Sequence, residues 1–145
     1  MSVALLDVNV LLALLQDFHE FHTPAGRWFN LNRRSGWATC PITEAGFVRS
    51  SAQTVLAPQT LPRAMEVIAS VCSAAEHQFW PLDFALSNIP AEIRARIHSP
   101  GQLTDALLLA LAIRRGGRLI TLARGIRKLL PEKSAYHNII EVIDY

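Results

Sequence analysis

Short apolar runs alternate along this chain with longer segments in which apolar residues recur at helical spacing. Five short strands are predicted, at residues 3 to 6, 37 to 40, 79 to 82, 119 to 122 and 139 to 143. Helices are predicted at residues 8 to 15, 25 to 32, 43 to 51, 61 to 72 and 104 to 115, with shorter helical pieces within 83 to 96 and 125 to 130. This alternation implies a parallel sheet covered by helices on both faces.

An aspartate, Asp7, lies where the first predicted strand ends, inside a stretch whose other residues are apolar except Asn9. A carboxylate in such a setting is costly to desolvate unless it lies at an open edge, binds a cation or accepts several hydrogen bonds. Parallel sheets bind ligands outside the carboxyl ends of their strands, near the point where the strand order reverses. Asp7 is therefore the first candidate for a functional site.

Two further isolated acids, Glu44 and Asp105, lie at the heads of apolar segments, after Thr43 and Thr104, which are predicted to cap helices. Taken singly, each acid is better explained by stabilisation in the first turn of a helix than by metal binding. Taken together, Asp7, Glu44 and Asp105 predict one convergent metal site. An all-carboxylate set suits Mg²⁺ or Mn²⁺, and the natural reaction of such a site is hydrolysis of nucleic acid.

The composition restricts the classes of protein to which this chain can belong. The 145 residues, half of them hydrophobic, are enough for one domain with a real core, and this composition argues against disorder. The formal net charge of +2 argues against a strongly cationic nucleic-acid coat. A run of basic residues without an acid is nevertheless present, and it is either a solvated surface or a phosphate-contacting one. Its members are Arg114, Arg115, Arg118, Arg124, Arg127 and Lys128.

The cysteines and the apolar segments indicate the cellular compartment in which the protein is expected. Cys40 and Cys72 are too few for a disulfide framework, which is typical of a reducing compartment. The apolar N-terminus has no basic leader and carries Asp7 and Asn9, so it does not fit a signal peptide. No segment is long and uncharged enough to span a membrane. We expect a soluble, cytoplasmic protein.

Four motifs together resemble the PIN-domain ribonucleases, in particular the VapC-type toxins of bacterial toxin–antitoxin pairs. These motifs are Leu5-Leu6-Asp7-Val8-Asn9-Val10-Leu11, His22 ahead of Trp28-Phe29, Ile42-Thr43-Glu44 followed by Arg49, and Leu103-Thr104-Asp105-Ala106. The resemblance runs nearly end to end. It implies a three-layer α/β/α sandwich with a mainly parallel sheet, an Mg²⁺- or Mn²⁺-dependent endoribonuclease, a cognate VapB-type antitoxin that blocks the site, and a homodimer.

Each candidate residue then has an expected role. Asp7, Glu44 and Asp105 are the predicted catalytic metal ligands, and Asn9 and Thr104 are predicted to orient them. Three arginines are expected to contact RNA phosphates or an acidic antitoxin segment, with solvated surface charge as the alternative. They are Arg49, Arg124 and Arg127.

One position departs from the family pattern. PIN domains commonly have a fourth acid in a segment resembling Thr-Phe-Asp-Arg-Gly, and here Ala123 replaces that acid in Thr121-Leu122-Ala123-Arg124-Gly125. A degenerate PIN module that binds RNA or antitoxin without cutting is therefore the alternative hypothesis. A phospho-acceptor or small-ligand α/β module is a third, although the chain has no glycine-rich phosphate loop.

Overall fold

The computed structural model describes residues 1–145 and contains one five-stranded sheet in the order β3-β2-β1-β4-β5. All four neighbouring pairs are parallel. The strands are β1 (Ala4–Leu6), β2 (Trp37–Thr39), β3 (His77–Phe79), β4 (Arg118–Thr121) and β5 (Ile140–Val142). Because β1 is flanked by β2 and β4, the order of the sheet reverses there, and the carboxyl ends of β1 and β4 lie side by side.

Six helices connect the strands. They are α1 (Val8–Leu15), α2 (His22–Asn32), α3 (Pro41–Gln53), α4 (Leu61–Val71), α5 (Ala91–Arg94) and α6 (Pro100–Arg115). Short 3₁₀ turns lie at Arg33–Ser35, Leu86–Asn88, Arg124–Leu129 and Ala135–Ile139. None of the helices combines the length and the apolar character needed to cross a lipid bilayer.

The sheet separates two hydrophobic cores. Leu6 on one face packs with buried residues of α1 to α4, and Leu5 on the other face packs with α5, α6 and the 3₁₀ turn after β4. Helix α6 buries most of its apolar length, since Ala106 and residues 108–112 are all buried. Helices therefore cover both faces, and the predicted α/β/α sandwich with a parallel sheet is confirmed.

Helix α6 begins earlier than the sequence predicts. Ser99 is the residue before the helix, and its hydroxyl accepts a hydrogen bond of 3.4 Å from the Gln102 amide, while Pro100 takes the first helical position. Thr104 is therefore not the cap, as was predicted. Asp105 lies in the second turn, beyond the first-turn amides that would explain it as a capping acid.

Two other boundaries also differ from the prediction. Helix α3 begins at Pro41, and the Thr43 side chain accepts a hydrogen bond of 2.9 Å from the Cys40 amide instead of preceding the helix. Strand β3 is His77–Phe79, shifted two residues or more from the predicted run. The ladder ends after Trp80, whose amide still donates to the Thr39 carbonyl at 2.8 Å, because the following residue is a proline without an N–H.

Candidate active site

Asp7 connects β1 to α1 and is 7% exposed. One carboxylate oxygen, Oδ1, accepts a hydrogen bond of 2.7 Å from the Val8 amide, and Oδ2 accepts one of 2.7 Å from the Thr121 hydroxyl. Burial raises the pKa of the Asp7 carboxyl, and these two hydrogen bonds oppose that effect. Asp7 therefore caps α1, and it is also a nearly buried acid whose ionised form is disfavoured.

Thr121 and Asn9 hold Asp7 across the sheet. The Asn9 amide nitrogen donates to the Thr121 hydroxyl oxygen at 3.2 Å, and its oxygen accepts from the Leu122 amide at 3.1 Å. The Ala123 amide also donates to the Thr121 hydroxyl oxygen, at 3.0 Å. Asn9 thus contacts Asp7 through Thr121, a fully buried residue that the sequence analysis missed. The available signal was a hydroxyl residue at the end of the strand that neighbours β1.

Asp105 approaches Asp7 from α6. Its side chain is partly buried, and its pKa is raised to about 6, first by burial and second by the negative charge of Asp7. The acidic partners in the five ion pairs of the structure are Glu76, Glu66, Asp83 and Glu141, so neither Asp7 nor Asp105 pairs with an arginine or lysine. Two carboxylates therefore share a site without a protein cation.

This donor set fits a hard divalent cation. Asp7 and Asp105 offer only carboxylate oxygens, the ligands that Mg²⁺ and Mn²⁺ prefer, and one or two carboxylates with water commonly hold Mg²⁺. A bound cation would offset the negative charge of Asp7, the smaller of the two causes of the raised Asp105 pKa. The location, beside the carboxyl ends of β1 and β4, is where open α/β sheets bind ligands.

Glu44 has different partners. Its carboxylate accepts a hydrogen bond of 2.7 Å from the Thr39 hydroxyl, and it lies with Cys72 and His77 in a group whose potential ligand atoms are within 4.8 Å of one another. Gly46, two positions along α3, faces α1: a Cβ built there lies 2.5 Å from Val8 Cγ2. Positions two apart in a helix lie on nearly opposite sides. The structure thus brings Asp7 and Asp105 together and directs Glu44 elsewhere.

The remaining predicted residues are all exposed. Thr104 is exposed and, with Arg49, lines a cleft of about 450 Å³ that also contains Val8, the neighbour of Asp7. The Arg124 guanidinium lies 4.7 Å from the centre of the Tyr145 ring. Arg127 donates to the carbonyls of His137 and Ile140 at 3.1 and 3.0 Å. Arg49 is therefore the arginine of the three that lines the cleft.

Residues 4–129 match the family model of the PIN domain, and the chain belongs to the PIN-domain family. Within that family it is similar to Ribonuclease VapC39 of Mycobacterium tuberculosis (strain H37Rv), with 48% identity over 120 residues that cover 81% of this chain and 86% of that protein. Ribonuclease VapC44 of the same strain is 41% identical over 124 residues, covering 85% and 87%. Ribonuclease VapC38 is 40% identical over 135 residues, covering 90% and 92%.

Two solved structures share the fold. The crystal structure of VapBC2 from Rickettsia felis, bound to a DNA fragment from its promoter, has a TM-score of 0.60 at 11% identity and covers 98% of this chain and 99% of that chain. The DNA-bound VapBC structure from Salmonella typhimurium has a TM-score of 0.60 at 18% identity and covers 98% of both chains. These likenesses confirm the fold expected of a PIN domain.

Proposed function

We propose that this protein is a metal-dependent endoribonuclease that acts as the toxin of a type II toxin–antitoxin pair. The observation that carries the proposal is the pair formed by Asp7 and Asp105, two carboxylates without a protein cation at the reversal point of the sheet. Identities of 40 to 48% to relatives named ribonucleases support RNA as the substrate.

Asp7 and Asp105 are the proposed ligands of Mg²⁺ or Mn²⁺. When bound, such a cation supplies Lewis-acid polarisation of a phosphodiester and lowers the pKa of a coordinated water. Thr121 fixes Oδ2 of Asp7 through its hydroxyl, and Asn9 fixes Thr121. Glu44 was predicted as a third ligand, and we leave it out of the proposed pair because its carboxylate is hydrogen-bonded to Thr39.

RNA and a protein partner are proposed to use two adjoining surfaces that share Arg49. Arg49 lines the cleft beside Val8, where its charge is available to an RNA phosphate. An exposed apolar groove of about 660 Å³ lies between α3 and α4 and includes Val48, Leu61 and Met65. We assign it to a segment of a VapB-type antitoxin. The predicted homodimer and the cytoplasmic location stay predictions.

Ala123 is the basis of the alternative, a degenerate PIN module that binds RNA or antitoxin without cutting it. Ala123 lies two residues after Thr121, and its amide donates to the Thr121 hydroxyl oxygen at 3.0 Å, so an acid at this position would lie next to Asp7. With a methyl group there instead, the site has one oxygen ligand fewer. Cleavage by the purified chain distinguishes the two functions.

The test is cleavage of a panel of structured RNAs by antitoxin-free protein, with manganese binding followed by calorimetry on the same samples. We expect cleavage in Mn²⁺ or Mg²⁺, none after chelation, and loss of both metal binding and cleavage in Asp7→Asn. Asparagine caps helices about as well as aspartate, so this variant is expected to stay folded. Metal binding without cleavage would favour the degenerate module, and absence of both would overturn the proposal.

A further inference from the structure

Glu44, Cys72 and His77 meet around one hydroxyl on the side of the sheet that faces α3 and α4. Glu44 comes from the first turns of α3, Cys72 follows the last residue of α4, and His77 is the first residue of β3. Their common neighbour is Thr39, the last residue of β2, whose Oγ1 lies 2.7 Å from Glu44 Oε2, 2.8 Å from His77 Nε2 and 3.7 Å from Cys72 Sγ.

The ligand atoms of these three side chains lie within 4.8 Å of one another, and all three residues are half-buried. A tetrahedral zinc ion with bonds of about 2.0–2.3 Å needs ligand atoms roughly 3.3–3.8 Å apart. The group therefore reaches zinc geometry if its most distant ligand atoms approach each other by about 1 Å. Carboxylate oxygen, imidazole nitrogen and thiolate sulfur are the three donor types that zinc takes.

The charges around the group also suit a cation. No arginine or lysine forms an ion pair with Glu44, whose hydrogen-bond partner is the neutral Thr39 hydroxyl. Cys72 follows the C-terminus of α4, where its amide donates to the Ile68 carbonyl, and the negative end of a helix dipole favours positive charge. A cation there has one carboxylate, one thiolate and one helix end to balance it.

The framework that carries the ligands is fixed. His77 pairs with Trp37 in the β2–β3 ladder, and the two rings lie 4.7 Å apart between centroids. Glu44, alone of the three, also lines the groove between α3 and α4, so its carboxylate is the ligand that an ion from solvent meets first. The site is thus held by backbone pairing on one side and open to metal entry on the other, as a binding site requires.

We propose that Glu44, Cys72 and His77 form a zinc site in which the Thr39 hydroxyl or a water is the fourth ligand. The site joins α3, the end of α4 and the edge strand β3, so its role is structural, and it is separate from the Asp7 and Asp105 pair. Binding replaces the Cys72 thiol proton, which leaves to buffer, with a sulfur-to-zinc bond. The proposal is independent of nuclease activity.

The test uses Co²⁺ as a spectroscopic probe for zinc in full-length, chelator-stripped protein. Thiolate bound to Co²⁺ gives a ligand-to-metal charge-transfer band in the near ultraviolet, which carboxylate sites do not give. We expect this band in the wild-type protein, its displacement by one equivalent of Zn²⁺, and its loss in Cys72→Ser. His77→Gln is expected to weaken Zn²⁺ binding by about 100-fold or more.

Two control variants separate this site from the rest of the molecule. Cys40→Ala removes the other thiol, which is buried on the opposite side of the sheet in the core of α6, and it is expected to keep the band. The double variant Asp7→Asn with Asp105→Asn is expected to keep it too. Circular dichroism verifies that each variant is folded. No band in folded wild-type protein, or a band that persists in Cys72→Ser, would overturn the proposal.

Discussion

The Thr121 hydroxyl at the end of β4 donates a hydrogen bond of 2.7 Å to Oδ2 of Asp7 at the end of β1. Both residues are buried, and the bond crosses the seam where the strand order of the sheet reverses. This hydrogen bond fixes the orientation of the Asp7 carboxylate, which is a proposed metal ligand. The contact that joins two strands of the sheet therefore also positions a group of the proposed site.

Removing that hydroxyl is expected to affect both stability and metal binding. Thr121→Val keeps the shape of the side chain but leaves Asp7 Oδ2 without its donor, which costs about 1–3 kcal/mol in the free energy of unfolding. Mn²⁺ affinity is expected to fall by about 10- to 100-fold, the usual effect of losing a residue that orients a ligand. Urea denaturation and calorimetry measure the two effects.

Thr121→Ser is the matched control, because it restores the donor without the methyl group. It is expected to recover most of the Mn²⁺ affinity that valine loses. Equal affinities in the valine and serine variants would show that Thr121 does not position Asp7.

The raised pKa of Asp105 makes stability depend on pH in metal-free protein. Its folded-state pKa of about 6 exceeds the ordinary aspartate value near 3.9, so between these values the folded state binds more protons and stability falls as pH rises. Asp105→Asn carries no such charge. We expect it to be more stable than wild type by about 1–2 kcal/mol at pH 7.5, a figure reduced for partial solvent exposure.

The difference between the two proteins should shrink as pH falls from 6 toward 4 and close below about pH 3, where Asp105 is protonated in both the folded and the unfolded state. Thermal or urea unfolding in a chelator, repeated across this pH range, provides the measurement. A stability difference that does not change with pH would contradict the assignment.

Gly46 is expected to tolerate no side chain, because a Cβ there meets Val8 Cγ2 at 2.5 Å and Cγ1 at 3.3 Å. Gly46→Ala forces α3 away from α1 next to Asp7, and we expect a loss of about 1–3 kcal/mol in stability. Metal affinity should fall with it, because Val8 adjoins Asp7 and donates to it.

Gly26→Ala is the control for this substitution. Gly26 is also within a helix, α2, and a Cβ built there has no atom within 4 Å. The free energy of unfolding of this variant should rise by about 0.5–1 kcal/mol, because alanine has a better helix propensity than glycine. Similar effects of the two substitutions on the urea midpoint would mean that the Val8 contact does not limit position 46.

An acid at position 123 is expected to strengthen the proposed site. Ala123→Asp adds a carboxylate two residues after Thr121, and we expect Mn²⁺ to bind about tenfold more tightly, equivalent to about 1.4 kcal/mol. Ala123→Asn, without the charge, should leave the affinity close to wild type. A modest rise in RNA cleavage favours an active wild-type enzyme, whereas cleavage that appears only in the aspartate variant favours the degenerate module.

The pairing of Asp7 with Asp105 follows from features that the sequence displays. Isolated acids inside apolar segments have few explanations, and a parallel sheet collects the ends of its strands at one edge. The exact start of α6 was harder to predict, because Ser99 and Thr104 both have a side-chain hydroxyl that can cap a helix. Pro100, a residue favoured at the first helical position, distinguishes Ser99 as the cap.

The direction of Glu44 could not be predicted from its neighbours alone. Which face of α3 turns to α1 depends on the close contact between Gly46 and Val8, and on partners that lie far along the chain, Cys72 and His77. Spacing within one helix gives the angle between two residues, but it does not say which of them faces the rest of the molecule.

The contact between Asp7 and Thr121 spans 114 positions of the sequence. During synthesis, the N-terminal carboxylate therefore leaves the ribosome long before its supporting hydroxyl exists, and β4 has to be made before it can pair with β1. A nascent chain that is four-fifths complete holds both aspartates without the strand that fixes the first of them. If the proposed nuclease activity is correct, an RNA-cutting site is completed only when little of the protein is left to translate.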